Sequence, residues 1–181
     1  YITSKQLTEL GIHRMYLNIM LDRGIIEKLD NGIYLDVNKF PDSYYVLNLN
    51  LPGIIYSHMT ALYFHGLSIK APDSKYDVTV KKNYNSVKLK NHNVFYVSDD
   101  IYELGLTEVK TPFGNIVRVY DIERCIINLV SNAQKFAPKG GRISVTIKDL
   151  NNSVEISVED TGIGIEKKYH DTIFDRYSQV V

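Results

Sequence analysis

Three polar residues in the last third of the sequence have the types and spacing to bind a metal ion and a phosphate together. Asn128, Asn132 and Lys135 are spaced i, i+4 and i+7. On a helix with about 100° per residue, these side chains lie within roughly 40° of each other. Two carboxamides and one ammonium group could coordinate the ion and the phosphate, but the same stripe could equally be a solvated helix face. The neighbouring elements must decide between the two interpretations.

The elements around this stripe can be predicted from the periodicity of the apolar residues. Residues 119–136 have an apolar side chain at every third or fourth position, which predicts an amphipathic helix. These positions are Ile122, Ile126, Leu129, Ala133 and Phe136. Two strands are predicted next, at 142–148 and 154–159, and the second strand runs directly into Asp160-Thr161-Gly162-Ile163-Gly164-Ile165.

The order of these segments resembles the ATP-binding domain of sensor histidine kinases, the GHKL fold. Residues 128–136 are similar to its N box, residues 160–165 to its first glycine box, and residues 173–177 to its F box. A lone Asp-Thr-Gly is a common turn, so the resemblance depends on the three boxes occurring in order. It covers residues 121–181 and implies part of an α/β sandwich that binds Mg-ATP.

The resemblance also implies a role for each residue of the two patterns. The carbonyl of Asn132 would coordinate Mg²⁺ and Lys135 would contact phosphate, while Asn128 would be a supporting polar residue of the helix. Asp160 would accept a hydrogen bond from the adenine amino group, and the glycines after it would let the backbone approach the base. These glycines are Gly162 and Gly164. We therefore expect that the chain requires no cofactor, and that Mg-ATP is the cofactor it could bind.

Two motifs of an autokinase are not found in this sequence, and we therefore expect no autokinase activity. It ends at Val181, before a second glycine box. His58 is followed by Met59-Thr60, without the Glu and the downstream Pro of a phosphoacceptor segment. The chain also begins with Tyr1 rather than Met, which indicates a fragment.

The first 48 residues predict a DNA-binding module. A capped helix ends at Gly11, a second helix covers residues 12–23, and strand-like runs flank Asp30-Asn31-Gly32. Two helices and a hairpin in this order are typical of a winged helix-turn-helix, whose second helix enters the major groove. The DNA-binding candidates are Ser4, His13, Arg14, Asn18, Lys28 and Asn31. Five basic and six acidic residues give the module a formal charge of −1, so a protein-docking role stays open.

Residues 49–121 predict a Tyr-rich α/β module. A largely buried helix is predicted from Ser57 to Gly66, and the predicted strands are 76–80, 94–97, 109–111 and 116–120. His58 and His65 share one helix face, but no cysteine or third histidine accompanies them at metal-ligand spacing, so we expect no metal site. A local group of basic residues could hold an acidic partner or a phosphate backbone, or could be a solvated loop. These residues are Lys81, Lys82, Lys88, Lys90 and His92.

Residues 1–124 resemble the AbiEi-type antitoxins and transcriptional regulators of abortive-infection (type IV) toxin-antitoxin pairs. The matching segments are LGIHRMYL, NGIYL, YSHMTALYFHGL, YDVTV and YELGLTEVKTPFGNIVRVYDIER. The resemblance implies a winged-helix domain that binds operator DNA and represses its own operon, and a domain that counteracts a nucleotidyltransferase toxin. It implies no catalytic residues. After YDIER the sequence departs from that family.

Composition sets broad limits on these hypotheses. A formal net charge of +0 and 44% hydrophobic residues are typical of a soluble globular protein. With a single cysteine, no signal-peptide pattern and no apolar run long enough to span a membrane, we expect a cytoplasmic protein. We expect an α+β fold of three modules: a winged helix-turn-helix at 1–48, an AbiEi-like α/β domain at 49–121, and a partial GHKL α/β sandwich at 122–181.

Three hypotheses of function follow. The chain could be a DNA-binding antitoxin-like regulator with an incomplete ATPase segment, or an ATP-responsive module in which residues 122–181 still bind Mg-ATP. It could also be a chimera that contains an ATP-binding fragment of a two-component sensor histidine kinase. The segment Asp121-Ile122-Glu123-Arg124 suits both families, and no Pro/Gly/Ser-rich linker separates the two parts.

Overall fold

The computed structural model describes residues 1–68, 71–151, 154–164 and 166. These residues divide into two compact units. One consists of residues 1–52 and 110–117, and the other consists of residues 53–109 and the described residues from 118 onward. The fold is mixed α/β, with helices and sheets in both parts. The three-module division stays a prediction, because it depends on family resemblance rather than on packing.

The first unit contains two short helices, an antiparallel hairpin and a third helix. Its elements are β1 (Ile2–Thr3), α1 (Ser4–Glu9), α2 (Met15–Asp22), β2 (Ile26–Asp30), β3 (Ile33–Asp36) and α3 (Ser43–Asn50). The strands form an antiparallel sheet in the order β1-β3-β2. The two predicted helices and the hairpin are confirmed as elements, while the winged helix-turn-helix assignment stays a prediction.

Local chemistry explains where these elements begin and turn. Thr3 caps α1 in a capping box, since its hydroxyl accepts from the Gln6 N–H at 3.2 Å and its own N–H donates to Gln6 Oε1 at 2.9 Å. The hairpin turns at Gly32, whose φ of +74° is available to glycine at little cost. The two helices and β2 then pack around a small core of Leu7, Leu17 and Ile26.

A buried carboxylate begins α3, a helix that the sequence analysis did not predict. Asp42 is fully buried, and its Oδ1 accepts from the N–H groups of Tyr44 and Tyr45, both at 3.1 Å. Its Oδ2 accepts from Thr111 Oγ1 at 2.6 Å and from Asn115 Nδ2 at 2.8 Å. These bonds attach the 110–117 segment to the first unit.

The second unit is built on a five-stranded sheet and a separate hairpin. The elements that lie wholly or mostly in it are β4 (Ile55–Tyr56), α4 (His58–Phe64), β5 (Asp77–Lys81), a 3₁₀ turn (Val87–Asn91), β6 (Asn93–Val97), α5 (Asp99–Tyr102), β7 (Leu106–Lys110), β8 (Ile116–Tyr120), α6 (Ile122–Phe136), β9 (Ile143–Asp149) and β10 (Val154–Asp160). The sheet order is β6-β5-β4-β8-β7, with β5 parallel to β6 and β4 parallel to β8. The elements that were predicted here agree with the structure to within three residues at each end.

Helix α6 connects the sheet to the hairpin β9-β10. Asp121 caps it, with Oδ1 accepting from the Arg124 N–H at 2.8 Å, and Cys125 lies buried in the side that faces the core. The helix packs against α4 and also against β9 and β10. In the hairpin, Val154 pairs with Asp149 near the turn, and Asp160 pairs with Ile143 at the open end. Asp160 is therefore returned to the start of β9, close to the end of α6. Of the helices in the described ranges, none is both long and apolar enough to cross a membrane.

Candidate functional site

The polar stripe of α6 passes from a partly buried region to an exposed one. Asn128 is half-buried, whereas Asn132 and Lys135 are exposed. The Lys135 ammonium lies 5.2 Å from the centroid of the Phe136 ring, so it stays at the last turn of the helix. The exposed half of the stripe is therefore accessible to a ligand in solution.

The loop after β10 is held against the segment that follows α6. Asp160 Oδ1 accepts from the Gly162 N–H at 2.7 Å, which closes a tight turn. Thr161 makes two hydrogen bonds to the backbone of Arg142. Its N–H donates to the Arg142 carbonyl at 3.1 Å, and its Oγ1 accepts from the Arg142 N–H at 2.9 Å. These bonds fix the Asp160 carboxylate in position although the side chain is exposed.

Two glycines of this loop are required for different reasons. A Cβ on Gly162 would lie 2.7 Å from the carbonyl oxygen of Phe136 and 2.5 Å from Asp160 Oδ1. The loop can therefore touch the last residue of α6 only because residue 162 has no side chain. Gly164 has open space around it but a φ of +66°, which disfavours any residue with a Cβ.

The chemistry of these groups fits Mg-ATP. The Asp160 carboxylate is a hydrogen-bond acceptor suited to an exocyclic amino group, a carboxamide oxygen is a hard ligand suited to Mg²⁺, and an ammonium group suits phosphate. Gly162 brings the loop against Phe136, the neighbour of Lys135. The Asp160 carboxylate and the Lys135 ammonium group therefore lie at the same end of α6. The F box, at 173–177, lies outside the described residues.

A cavity of about 330 Å³ lies at the other end of the stripe, in the second unit. Its lining includes His58, Phe95, Tyr120, Arg124 and Asn128. The Arg124 side chain is only 8% exposed, and its guanidinium carbon lies 5.4 Å from the centroid of the Tyr120 ring. Its Nε–H makes no hydrogen bond to any described residue. Buried arginines are normally hydrogen-bonded, so this unpartnered donor needs an explanation.

His58 forms one wall of the cavity and is neutral at physiological pH. Its ring stacks on Phe95 with centroids 3.6 Å apart, and its Nδ1 lies 3.0 Å from Ser57 Oγ. Burial, and secondarily the positive charge of Arg124, lower the pKa of His58 to about 4. The imidazole therefore offers hydrogen bonds to this cavity without adding charge.

Three of the other residues singled out in the middle of the chain make contacts within the fold. His65 Nε2 lies 2.8 Å from the Tyr120 carbonyl oxygen, and His92 is buried with its Nδ1 accepting from the Tyr76 N–H at 3.2 Å. Lys81 pairs with Asp99 at 3.7 Å. Within the described part of the chain, no three histidine, cysteine or acidic side chains come together as a metal site would require.

The predicted DNA-binding residues are mostly exposed on the first unit. His13, Arg14, Asn18, Lys28 and Asn31 are all exposed. His13 also has a local role, because its Nδ1 accepts from the Met15 N–H at 3.2 Å at the start of α2. Ser4 differs from the others: it is half-buried, its N–H donates to the Gly32 carbonyl at 2.8 Å, and it supports the hairpin turn.

Sequence reasoning missed Arg124 and the cavity that it lines. The signal was present, since Arg124 precedes Asn128 by four residues and so extends the polar stripe by one more turn. The other walls, from α4 and β6, are far away in sequence and could not be deduced from spacing.

Comparisons with known proteins concern the last third of the chain. Residues 118–180 match the family model described as histidine kinase-, DNA gyrase B-, and HSP90-like ATPase. The chain is 44% identical over 62 residues to the sensor histidine kinase WalK of Bacillus subtilis, which covers 33% of this chain and 10% of WalK. It is 40% identical over 58 residues to the histidine protein kinase DivJ of Caulobacter vibrioides, covering 32% of this chain and 10% of DivJ.

A third relative is the histidine kinase P4 of Formosa agariphila, 32% identical over 71 residues, which covers 37% of this chain and 5% of that protein. The chain thus spans a tenth or less of the length of these three relatives. The resemblance of residues 1–124 to AbiEi-type antitoxins stays a prediction. Residues 118–180 are a domain segment of the histidine kinase-, DNA gyrase B- and HSP90-like ATPase type.

Proposed function

We propose that the chain binds Mg-ATP through the exposed half of the α6 stripe and the loop from Asp160 to Gly164, as the nucleotide-binding segment of a sensor-kinase type of protein. The observation that carries the proposal is the close approach of Gly162 to the Phe136 carbonyl oxygen, which lies 2.7 Å from the point that a Cβ on residue 162 would occupy. This contact sets the Asp160 acceptor beside the helix end that bears Lys135.

Each residue of the proposed site has a distinct task. Asp160 accepts from the adenine amino group through its second carboxylate oxygen, because Oδ1 is engaged by the Gly162 N–H. Asn132 offers a carboxamide oxygen to Mg²⁺, and Lys135 offers an ammonium group to a phosphate oxygen. When bound, Mg-ATP supplies the charged triphosphate that these two groups contact.

Equilibrium binding of a fluorescent ATP analogue tests the proposal, with Asp160→Asn as the test variant. Asp149→Asn is the matched control, because Asp149 is also exposed and also accepts from the backbone N–H two residues later, with Oδ1 2.9 Å from the Asn151 nitrogen. We expect Asp160→Asn to weaken binding roughly tenfold or more, the usual effect of removing a charged hydrogen bond. Asp149→Asn should bind like the unmodified chain.

Two outcomes would exclude this nucleotide site. One is equal affinity for the unmodified chain and Asp160→Asn. The other concerns the effect of EDTA on the affinity. If Asn132 is a ligand of Mg²⁺, EDTA should lower the affinity of Asn132→Ala less than that of the unmodified chain, so an equal loss in both proteins would exclude the site.

A second candidate function is DNA binding by the first unit, and we propose it on the exposure of α2. Arg14, the residue before the first turn of α2, and Asn18 within the helix are exposed, whereas Leu17 is buried in the core. The exposed side of the helix, which also carries Met15 and Tyr16, could therefore enter a major groove. Exposed Lys28 and Asn31 on the hairpin are available for phosphate contacts.

A gel shift with the promoter DNA of the parent operon at low salt tests this second function. Arg14→Gln should weaken binding and lower the slope of log affinity against log salt by about 1, as expected for one lost phosphate contact. Lys5→Gln is the control, because Lys5 is exposed on α1 and pairs with Glu9 at 3.8 Å. No binding at low salt, or equal loss in both variants, would refute the role of α2.

A further inference from the structure

The cavity lined by Arg124 has the features of a binding site that is separate from the nucleotide surface. Most of its walls come from α4, β5 and β6, which lie outside residues 118–180. Its volume of about 330 Å³ is at the lower end of the range for small-molecule sites. The ligand must therefore be small.

The electrostatics of the cavity favour an anion. Arg124 is a permanent cation, and its nearest described surroundings in the cavity are an aromatic ring, a neutral imidazole and a carboxamide. No aspartate or glutamate is among the lining residues, and no described carboxylate forms an ion pair with Arg124. A buried guanidinium without a counter-charge is unfavourable, and an anionic ligand would remove that penalty.

The geometry of the donors favours a carboxylate. The Nε–H of Arg124 is unpartnered, and a guanidinium edge matches the two oxygens of a carboxylate. Asn128 lies four residues later on the same helix face and lines the same cavity, so its carboxamide adds a donor beside the guanidinium. His58, which also lines the cavity, contributes a third polar group.

The remaining walls favour a flat ligand body. Phe95 and Tyr120 present aromatic side chains to the cavity, and the His58 ring is already stacked on Phe95. Aromatic side chains pack well against planar rings in offset or edge-to-face arrangements. From these observations we infer that the cavity binds a small aromatic carboxylate, with its carboxylate on Arg124 and Asn128 and its ring against the aromatic wall.

The test compares benzoate with benzamide, which has the same shape without the charge. Both are titrated into the ¹⁵N-labelled full chain while the Arg124 Nε–H resonance is followed by NMR. We expect a saturable shift with benzoate and an affinity for benzamide that is lower by about tenfold to a hundredfold, as for loss of a charged hydrogen-bond pair. Equal affinities, or no saturable shift with benzoate, would overturn the inference without any variant.

A pair of arginine variants then assigns the site. Arg124→Met should abolish benzoate binding. Arg118→Met is the matched control, because the Arg118 guanidinium also lies over a tyrosine ring, 5.7 Å from the centroid of Tyr102, but does not line the cavity. If Arg124→Met does not fold, Asn128→Leu replaces it and should weaken benzoate severalfold. Unchanged benzoate affinity in either cavity variant would overturn the assignment.

Discussion

Acid should destabilise the fold through a single histidine. His58 has its pKa lowered to about 4 by burial and then by the charge of Arg124, whereas the unfolded chain has the ordinary value of 6.5. Between these two values the unfolded chain binds the proton and the folded chain does not. The contribution of His58 is therefore fully present above pH 6.5 and is lost as the pH falls towards 4.

The size of the effect follows from the two pKa values. Between pH 7 and pH 5, linkage for one such histidine lowers the free energy of unfolding by about 2 kcal/mol, and the loss reaches about 3 kcal/mol below pH 4. An ordinary exposed histidine, with equal pKa values in both states, would contribute nothing over this range. The predicted loss is a large part of the stability of a typical domain.

Urea unfolding of the unmodified chain and of His58→Asn at pH 7 and pH 5 measures this loss. Asparagine is chosen because His58 has a φ of +47°, a conformation that asparagine tolerates better than most residues. The buried Asp77, whose pKa is raised mainly by burial, also titrates differently on folding but is common to both proteins. The difference between the two pH dependences is therefore assigned to His58.

The expected result is a stability loss in the unmodified chain that exceeds the loss in His58→Asn by about 2 kcal/mol. NMR gives an independent check, because the Cε1–H resonance of His58 should move by only about a tenth of its full titration shift between pH 7 and pH 5. Equal losses in the two proteins, or a histidine midpoint near 6.5 for this resonance, would refute the reasoning that burial beside Arg124 keeps the imidazole neutral.

Three further predictions concern packing. Gly162→Ala should destabilise the hairpin by about 1–3 kcal/mol, because its Cβ would meet the Phe136 carbonyl. Faster amide hydrogen exchange in β10 would measure this loss. Gly164→Ala has open space around the new Cβ and should cost only about 1 kcal/mol, because the backbone of residue 164 is left-handed. Asp42→Ala should lower the free energy of unfolding by about 2–4 kcal/mol in urea, because it removes a helix cap and leaves buried donors unpaired. Cys125, whose pKa burial raises to about 12, should react with a thiol reagent roughly a hundredfold more slowly in the folded chain than in urea, and equal rates would contradict its burial.

The periodic elements could be predicted from the sequence because their signals are local. Helix α6 has a regular apolar stripe and an Asp121 cap, and the hairpin turn at Gly32 has the residues that such a turn requires. Helix α3 could not be predicted in the same way. Its cap residue Asp42 is buried by hydrogen bonds to Thr111 and Asn115, which lie 69 and 73 residues away along the chain. A partner at that distance leaves no periodic signal.

The candidate nucleotide site was predictable in residue types but not in its packing. The spacing of Asn132 and Lys135 and the Asp160 loop could be recognised from the sequence. The close approach of Gly162 to Phe136 could not, because it depends on how the hairpin folds back along α6. The cavity is less predictable still, since sheet pairing and helix packing bring α4 and β6 to the first turns of α6.

One stripe on α6 thus has two environments, and this bears on the hypothesis of a chimera. Arg124, Asn128 and Asn132 follow each other at steps of four residues, but the first is buried against the elements before α6 and the last is exposed beside the hairpin after it. Arg124 and Asn132 are eight residues apart, about 12 Å along a helix, which is beyond the range at which substitutions usually couple. On the hypothesis of a chimera, a change from one family's sequence to the other within α6 would keep the Asp121 cap and the helix continuous, and each end of the helix would retain its own packing partners. The proposed carboxylate site in the cavity lined by Arg124 and the proposed nucleotide site can therefore be tested separately, although a single helix provides residues for both.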